Sequence, residues 1–203
     1  MVRKISVALL VLLYSMIYSQ SDQEMMLLYK NVIEKSDSLF AIGKISQIDL
    51  KKVLADAKLA DKAYPDLYFK KSMAYFKNFQ YNESGFLFYL GKMRAEDLNH
   101  LGKEHYTTGS EYDTVLEEGL FIYLSADAEN YAKILKLATD YYNENPYNYI
   151  SHSKGYQKLK DPKNYSQLIK VLEGEETKVQ AELNAQRDDM KNRITPYFQM
   201  LEP

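Results

Sequence analysis

The chain has 203 residues, with 26 Lys and Arg, 28 Asp and Glu, and a formal net charge of −2. This balance lacks the long-range attraction to phosphate that nucleic-acid binders show, so we expect no nucleic-acid partner. Cysteine is absent, which excludes disulfides, thiolate chemistry and the lipid-bearing cysteine of a bacterial lipoprotein. We therefore expect stability to come from packing.

The N-terminus has the pattern of a secretory signal peptide. Arg3 and Lys4 precede an apolar run from Ile5 to Ile17, and a polar stretch with Ser19 follows. The run is too short for the roughly 20 residues of a bilayer-spanning helix. We expect residues 1–19 to be removed, which leaves 20–203 as a single helical domain, exported to the periplasm or the extracellular space and not membrane-spanning after cleavage.

Four helices are predicted in the first half of the mature chain from apolar residues at helical spacing. The first covers residues 22–38. The second starts after Ser46, with Asp49 three residues later as in a capping box. The third begins at Pro65, and the fourth is capped by Asn82 and extends towards residue 101. The last two are predicted to form an antiparallel hairpin.

Further helices are predicted in the second half of the mature chain. One lies over 115–124, and the next is capped by Asp127 and ended by Asn145 and Pro146. A long polar C-terminal helix over about 162–194 follows Asp161, and Gly174 is expected to weaken or split it. Alternating strand patterns are absent. The predicted fold class is therefore all-α, a compact helical bundle or stacked helical hairpins of about six to eight helices.

Residues 68–96 read YFKKSMAYFKNFQYNESGFLFYLGKMRAE. Large, small and aromatic residues recur there at the spacing of a helical hairpin, and the segment resembles one tetratricopeptide repeat. The resemblance implies two closely packed helices, with Ser72, Ser84, Phe88 and Gly91 as the packing residues. Lys71 and Glu96 depart from the family pattern, and no second copy is evident, which favours a compact bundle over a repeat array.

Catalytic and metal-binding patterns are weak. His100 and His105 are five residues apart, which is off the spacing that places two ligands on one helical face. With Glu96 and Glu104 they are the best enzymatic cluster in the chain. Because no complete motif for a metal, a cofactor or a nucleophile is present, we predict no catalytic residue, no metal and no cofactor.

Arg94 is the most informative single residue because it falls within an apolar helical stripe. A guanidinium there must reach solvent, pair with a carboxylate or anchor an anion. Nineteen tyrosines and no tryptophan are also consistent with a binding surface. The candidate binding residues are Arg94, Tyr68, Tyr75, His100 and His105.

These observations predict an exported soluble helical module that binds a partner protein or peptide. A specialised form would be an immunity or inhibitor protein. Two alternatives remain: a hydrolytic or metal-assisted enzyme that uses the cluster of Glu96, His100, Glu104 and His105, and a carrier of an apolar ligand.

Overall fold

The structure, a computed structural model, describes residues 23–38, 48–102, 106, 111–174, 176–196 and 198. The predicted all-α fold is confirmed, and these residues contain no strand. The predicted signal peptide lies outside them. The helices are α1 (23–38), α2 (Leu50–Ala60), α3 (Asp66–Lys77), α4 (Tyr81–Leu101), α5 (Glu111–Leu124), α6 (Ala128–Glu144), α7 (Tyr165–Leu172) and α8 (Glu176–Ile194).

Local capping explains where several helices begin. Asp49 caps α2 by accepting a hydrogen bond from Lys52 N at 3.1 Å, whereas Ser46 lies outside the described residues. Asp127 caps α6 through Asn130 N at 2.9 Å, as predicted. The predicted Asn82 cap is wrong because α4 has already begun at Tyr81. Asn82 is buried and accepts a hydrogen bond from the Asn130 side chain.

Helices α3 and α4 form a tightly packed antiparallel hairpin. The Ser72 hydroxyl donates to Ser84 O, and the Ser84 hydroxyl donates to Ser72 O, both at 2.8 Å. A Cβ added at Gly91 would lie only 2.7 Å from Tyr68 Cβ, so the helices approach closely there. Phe88 packs edge-on against Phe69, with ring centroids 5.7 Å apart. Small residues thus set the helix separation, and rings fill the space beside them.

Helix α4 lies at the centre of the fold. Most of its residues are buried, including the consecutive run from Phe86 to Leu90, so it is covered on all sides. It contacts α2, α3, α5 and α6. A helix that is apolar all round belongs in a core, whereas a peripheral helix has one stripe. None of the helices in the described part of the chain combines the length and apolar character needed to cross a bilayer.

The prediction of a helix that starts at 162 is wrong, whereas the predicted weakening or splitting at Gly174 is confirmed. A short 3₁₀ turn at Pro162–Asn164 precedes α7, with Lys163 at φ 63° and Asn164 at φ 53°, outside the right-handed helical region. A second break after Leu172 separates α7 from α8, near Gly174. The break allows α7 to pack on α6 while α8 packs mainly on α5.

A buried arginine holds α8 in place. The Arg187 side chain is 4% exposed, and its Nε donates to Ile122 O in α5 at 3.2 Å. Its Nη2 donates to the Ser36 hydroxyl in α1 at 2.6 Å and also bonds Asp37. One guanidinium therefore connects three helices.

Candidate functional site

A buried ion pair lies where α2 ends and α4 passes beneath it. The Arg94 side chain is completely buried, and its Nε lies 3.0 Å from Oδ1 of Asp61, which is 2% exposed. Neither Nε nor Nη1 makes an aligned hydrogen bond within the described residues, so charge attraction holds the pair. Burial alone would lower the pKa of Arg94, but Asp61, Tyr68 and Asp97 outweigh it and raise that pKa. The guanidinium therefore stays charged.

Tyrosine hydroxyls supply the remaining partners of Asp61. The hydroxyl of Tyr68 in α3 donates to Oδ1 at 2.6 Å, and that of Tyr141 in α6 donates to Oδ2 at 2.8 Å. Burial raises the pKa of both tyrosines, and the nearby Asp61 raises it further. Both hydroxyls therefore keep their protons, and each oxygen of the carboxylate accepts a hydrogen bond from a tyrosine.

A second buried carboxylate, Asp97, lies one turn further along α4. Its Oδ1 accepts hydrogen bonds from the Tyr142 hydroxyl at 2.7 Å and from Leu159 N at 3.1 Å. Its Oδ2 accepts one from the Tyr156 hydroxyl at 3.3 Å and lies 3.9 Å from Arg94 Nη1. Burial raises the pKa of Asp97, although the bonds from Tyr142 and Leu159 oppose the rise. Asp97 thereby ties the connection after α6 to the core.

Two aromatic rings enclose the guanidinium. The Arg94 Cζ atom lies 4.9 Å from the ring centroid of Tyr142 and 5.4 Å from that of Tyr147, both within cation–π range. Its Nη2 donates to the backbone carbonyl of Asn145, just past the end of α6, at 3.0 Å. Arg94 is thus completely buried and presents no surface to an external anion.

Above this network lies a partly exposed group of rings, Tyr64, Tyr106 and Tyr149, which we name the tyrosine face. The Tyr64 centroid is 5.5 Å from that of Tyr106 and 6.0 Å from that of Tyr149. Tyr149 is 41% exposed, and the other two rings are half-buried. Phe69 stacks on Tyr106 from below, with an interplanar angle of 10°.

The tyrosine face is fixed to the buried network by short contacts. Tyr149 N donates to Asp61 O at 2.8 Å. Tyr147, whose ring lies 5.9 Å from that of Tyr149, donates its hydroxyl to Ala63 O at 2.7 Å. The same tyrosine contacts Arg94 through its ring. A continuous set of contacts therefore runs from the buried arginine to the surface.

The structure brings together two of the four candidate binding residues that it describes. Arg94 and Tyr68 share the Asp61 network, as described above. Tyr75 is buried and donates its hydroxyl to Asp56 at 2.6 Å, separately from that network. His100 is exposed in the last turn of α4, and His105 lies outside the described residues.

The enzymatic cluster can be followed only in part. Glu96 pairs with Lys163 at 2.8 Å, and Glu104 lies outside the described residues together with His105. Within the part of the chain that the structure describes, no group of three or more His, Asp or Glu side chains is placed to hold a metal ion.

Sequence reasoning missed the carboxylates and most of the tyrosines of the site. A charge in the apolar stripe indicated that Arg94 needs a partner, and Asp97 follows it by three residues, a spacing that places both on one face. Nothing local distinguished Asp61 from the other acidic residues. Tyr147 and Tyr149 lie in a segment whose only visible signal was the helix-ending Asn145 and Pro146.

No protein-family model, curated protein or solved structure matches this chain. The function is therefore inferred from the geometry of the site.

Proposed function

We propose that this chain is an exported helical binding module that holds a partner protein or peptide on the tyrosine face. The observation that carries the proposal is the exposed Tyr149 ring beside Tyr64, fixed to the buried Asp61 by its own backbone. Tyrosine suits such a surface because its large ring contributes contact area and its hydroxyl can bond a partner.

Rigidity makes this surface more favourable for binding than a set of mobile side chains. Binding normally loses free energy when side chains and loops become ordered, and a surface ordered in advance avoids much of that loss. The backbone bond of Tyr149 and the hydroxyl bond of Tyr147 order the segment before any partner arrives. The buried charges beneath it therefore serve as a support for the binding surface.

Site-specific photo-crosslinking tests the proposal. Tyr149 is replaced by p-benzoylphenylalanine in the full chain, expressed in the producing cells, and irradiated. The matched control carries the same residue in place of Phe79. Phe79 is 53% exposed and follows α3, at the end of that helix away from Tyr64. Tyr64, whose ring contacts Tyr149, precedes α3 and Phe79 follows it, and the 12 residues of α3 span roughly 18 Å along the helix axis.

We expect a defined crosslinked species from position 149 and none of comparable yield from position 79. Equal crosslinking at both positions, or crosslinking only at 79, would overturn the assignment of the tyrosine face. The mature N-terminus of the same sample tests export, since removal of the signal peptide after Ser19 should leave Gln20 as the first residue. An intact Met1 in the secreted fraction would contradict it.

A further inference from the structure

Positive charge is concentrated around the tyrosine face although the chain as a whole is slightly acidic. The segment 145–160 contains Lys154, Lys158 and Lys160 and no Asp or Glu. At the end of α2, Lys58 and Lys62 flank Asp61, whose carboxylate is buried in the Arg94 network. The whole chain has 26 basic and 28 acidic residues, so the segment 145–160 differs in sign from the chain average.

Four of these lysines keep their charge available at the surface. Each is exposed, and none lies within ion-pair distance of a carboxylate among the described residues: Lys58, Lys62, Lys154 and Lys160. The fifth, Lys158, donates to the backbone carbonyls of Tyr142 and Asn143 near the end of α6, at 3.2 and 2.5 Å.

Some of the other described lysines are paired with carboxylates. Lys70 contacts Asp66 at 2.7 Å, Lys71 contacts Asp56 at 2.5 Å, and Lys92 contacts Glu117 at 2.7 Å. Close to the tyrosine face, the carboxylates Asp61 and Asp97 are directed into the core, and Asp66, two residues after Tyr64, pairs with Lys70. Of the carboxylates bordering the segment 145–160 in sequence, Glu144 is exposed and Asp161 is partly buried.

The free lysines lie next to the rings in the fold. Lys62 directly follows Asp61, whose carbonyl accepts the hydrogen bond from Tyr149 N. Lys58 lies one helical turn earlier. Consecutive turns, closed by Ser153 N to Ile150 O and by Tyr156 N to Ser153 O, hold Lys154 close to Tyr149. Exposed lysines therefore lie on the same segments as Tyr149 and the residue that its backbone contacts.

We infer that the partner segment held by the tyrosine face is acidic: a peptide or a protein loop whose carboxylates meet these lysines while its apolar side chains contact Tyr149. This inference rests on the proposed function and adds the charge of the partner. Charges at the rim of an interface chiefly accelerate association and exclude partners of the wrong sign. Binding should therefore weaken as salt is added.

The test uses fluorescence anisotropy with the purified full mature chain. The probe is a fluorescein-labelled synthetic peptide of about ten residues that alternates Glu with Val and Leu, and a peptide with Lys in place of Glu is its counterpart. The charge-reversal variant is Lys62→Glu with Lys154→Glu. The matched control, Lys30→Glu with Lys178→Glu, changes exposed lysines on α1 and α8 and alters the net charge equally. Circular dichroism shows that each variant is folded.

We expect the Glu peptide to bind at least tenfold more tightly than the Lys peptide, and its affinity to fall roughly tenfold in the charge-reversal variant but little in the control. Equal loss in both variants would overturn the inference, because net charge alone would explain it. Failure of the Glu peptide to bind more tightly than the Lys peptide would do the same. The inference would also be overturned if the chain bound phosphatidylglycerol vesicles, lost that binding on charge reversal, and did not bind the Glu peptide.

The two proposals fail separately. If the species crosslinked through position 149 forms equally well with the charge-reversal variant and at about 50 and about 300 mM salt, the acidic partner is refuted and the binding module stands. If crosslinking at 149 does not exceed that at 79, while the Glu peptide binds and depends on Lys62 and Lys154, the lysine site for acidic peptides stands without the tyrosine face.

Discussion

Arg94 Nε and Asp61 Oδ1 lie 3.0 Å apart, and both side chains are buried, so a full charge pair joins the middle of α4 to the residue that ends α2. Such a pair is costly to break because the charge that remains has neither solvent nor a counter-ion. It also lies directly beneath the surface that we propose for binding.

Replacing Arg94 by Met should therefore destabilise the protein strongly. Asp61 and Asp97 would remain buried without a cation, and we expect a loss of about 3–5 kcal/mol in the free energy of unfolding, measured by urea denaturation. Arg193→Met is the control, because Arg193 is exposed and pairs at 3.4 Å with the exposed Asp189. That change should stay within about 0.5 kcal/mol. A loss below about 1 kcal/mol for Arg94→Met would contradict the role of the pair.

Two glycines of α4 allow the close helix approach to be tested. Both Gly91→Ala and Gly85→Ala gain about 1 kcal/mol of helix propensity. At Gly91 the new Cβ would lie 2.7 Å from Tyr68 Cβ, whereas at Gly85 its nearest neighbours are the ends of Leu124 and Ile134, at 3.2 and 3.3 Å. Overpacking should make Gly91→Ala less stable than Gly85→Ala by about 1–3 kcal/mol in thermal or urea unfolding. Equal stability of the two variants would refute the constraint at Gly91.

The buried tyrosines should make the protein sensitive to alkali. Burial raises the pKa of Tyr142 above its ordinary value of 10.0, and the hydrogen bond to Asp97 adds to the rise. The same direction holds for Tyr68 and Tyr147. Between the ordinary and the folded pKa the unfolded chain has lost protons that the folded chain retains, so stability should fall as the pH rises above about 10.

Phenolate absorbance and circular dichroism, followed together against pH, measure this effect. The buried tyrosines should ionise in the same transition that unfolds the helices. Tyr142→Phe removes one of the groups and should make the alkaline loss of stability less steep. Complete ionisation of the buried tyrosines with the helices intact would exclude the mechanism.

Asp97 and Asp56 should have opposite effects on how the stability of the protein changes at acidic pH. Because burial raises the pKa of Asp97 above 3.8, the folded state binds its proton more readily than the unfolded state. The cost of the buried charge is present above the folded pKa and is relieved as the pH falls through it. Relative to the wild type, Asp97→Asn should therefore become more favourable as the pH rises from about 4 to 7.

Asp56 provides the matched comparison. Partial burial opposes the change, but hydrogen bonds from Lys71 and Tyr75 hold the pKa of Asp56 below 3.8. Its stabilisation is present above the ordinary pKa and is lost as the pH falls through the lower, folded value. Asp56→Asn should thus become less favourable, relative to the wild type, as the pH rises. Urea denaturation at several pH values compares the two variants, and identical pH trends would contradict the assignments.

The sequence was sufficient to predict where a helix begins or ends when local chemistry sets that boundary. Helical spacing of apolar residues placed α6, and the Asp127 cap and the stop at Asn145 and Pro146 are confirmed because each depends on neighbours within one turn. Local signals failed where a longer contact competed with them. Asn82 is a good cap by type, but its side chain instead bonds Asn130 in another helix.

By itself the sequence determined that the chain is helical. It also determined that the charge of Arg94, which lies in an apolar stripe, must reach solvent or pair with an opposite charge. Only the tertiary structure decided that the partner is Asp61, that Tyr68 and Tyr141 complete it, and that Tyr149 faces outward. The physical reason is that a periodic pattern specifies which side of a helix is buried but contains no information on which distant residue faces it. That choice depends on how the helices pack, and packing brings together groups from α2, α3, α4 and α6 that no local signal connects.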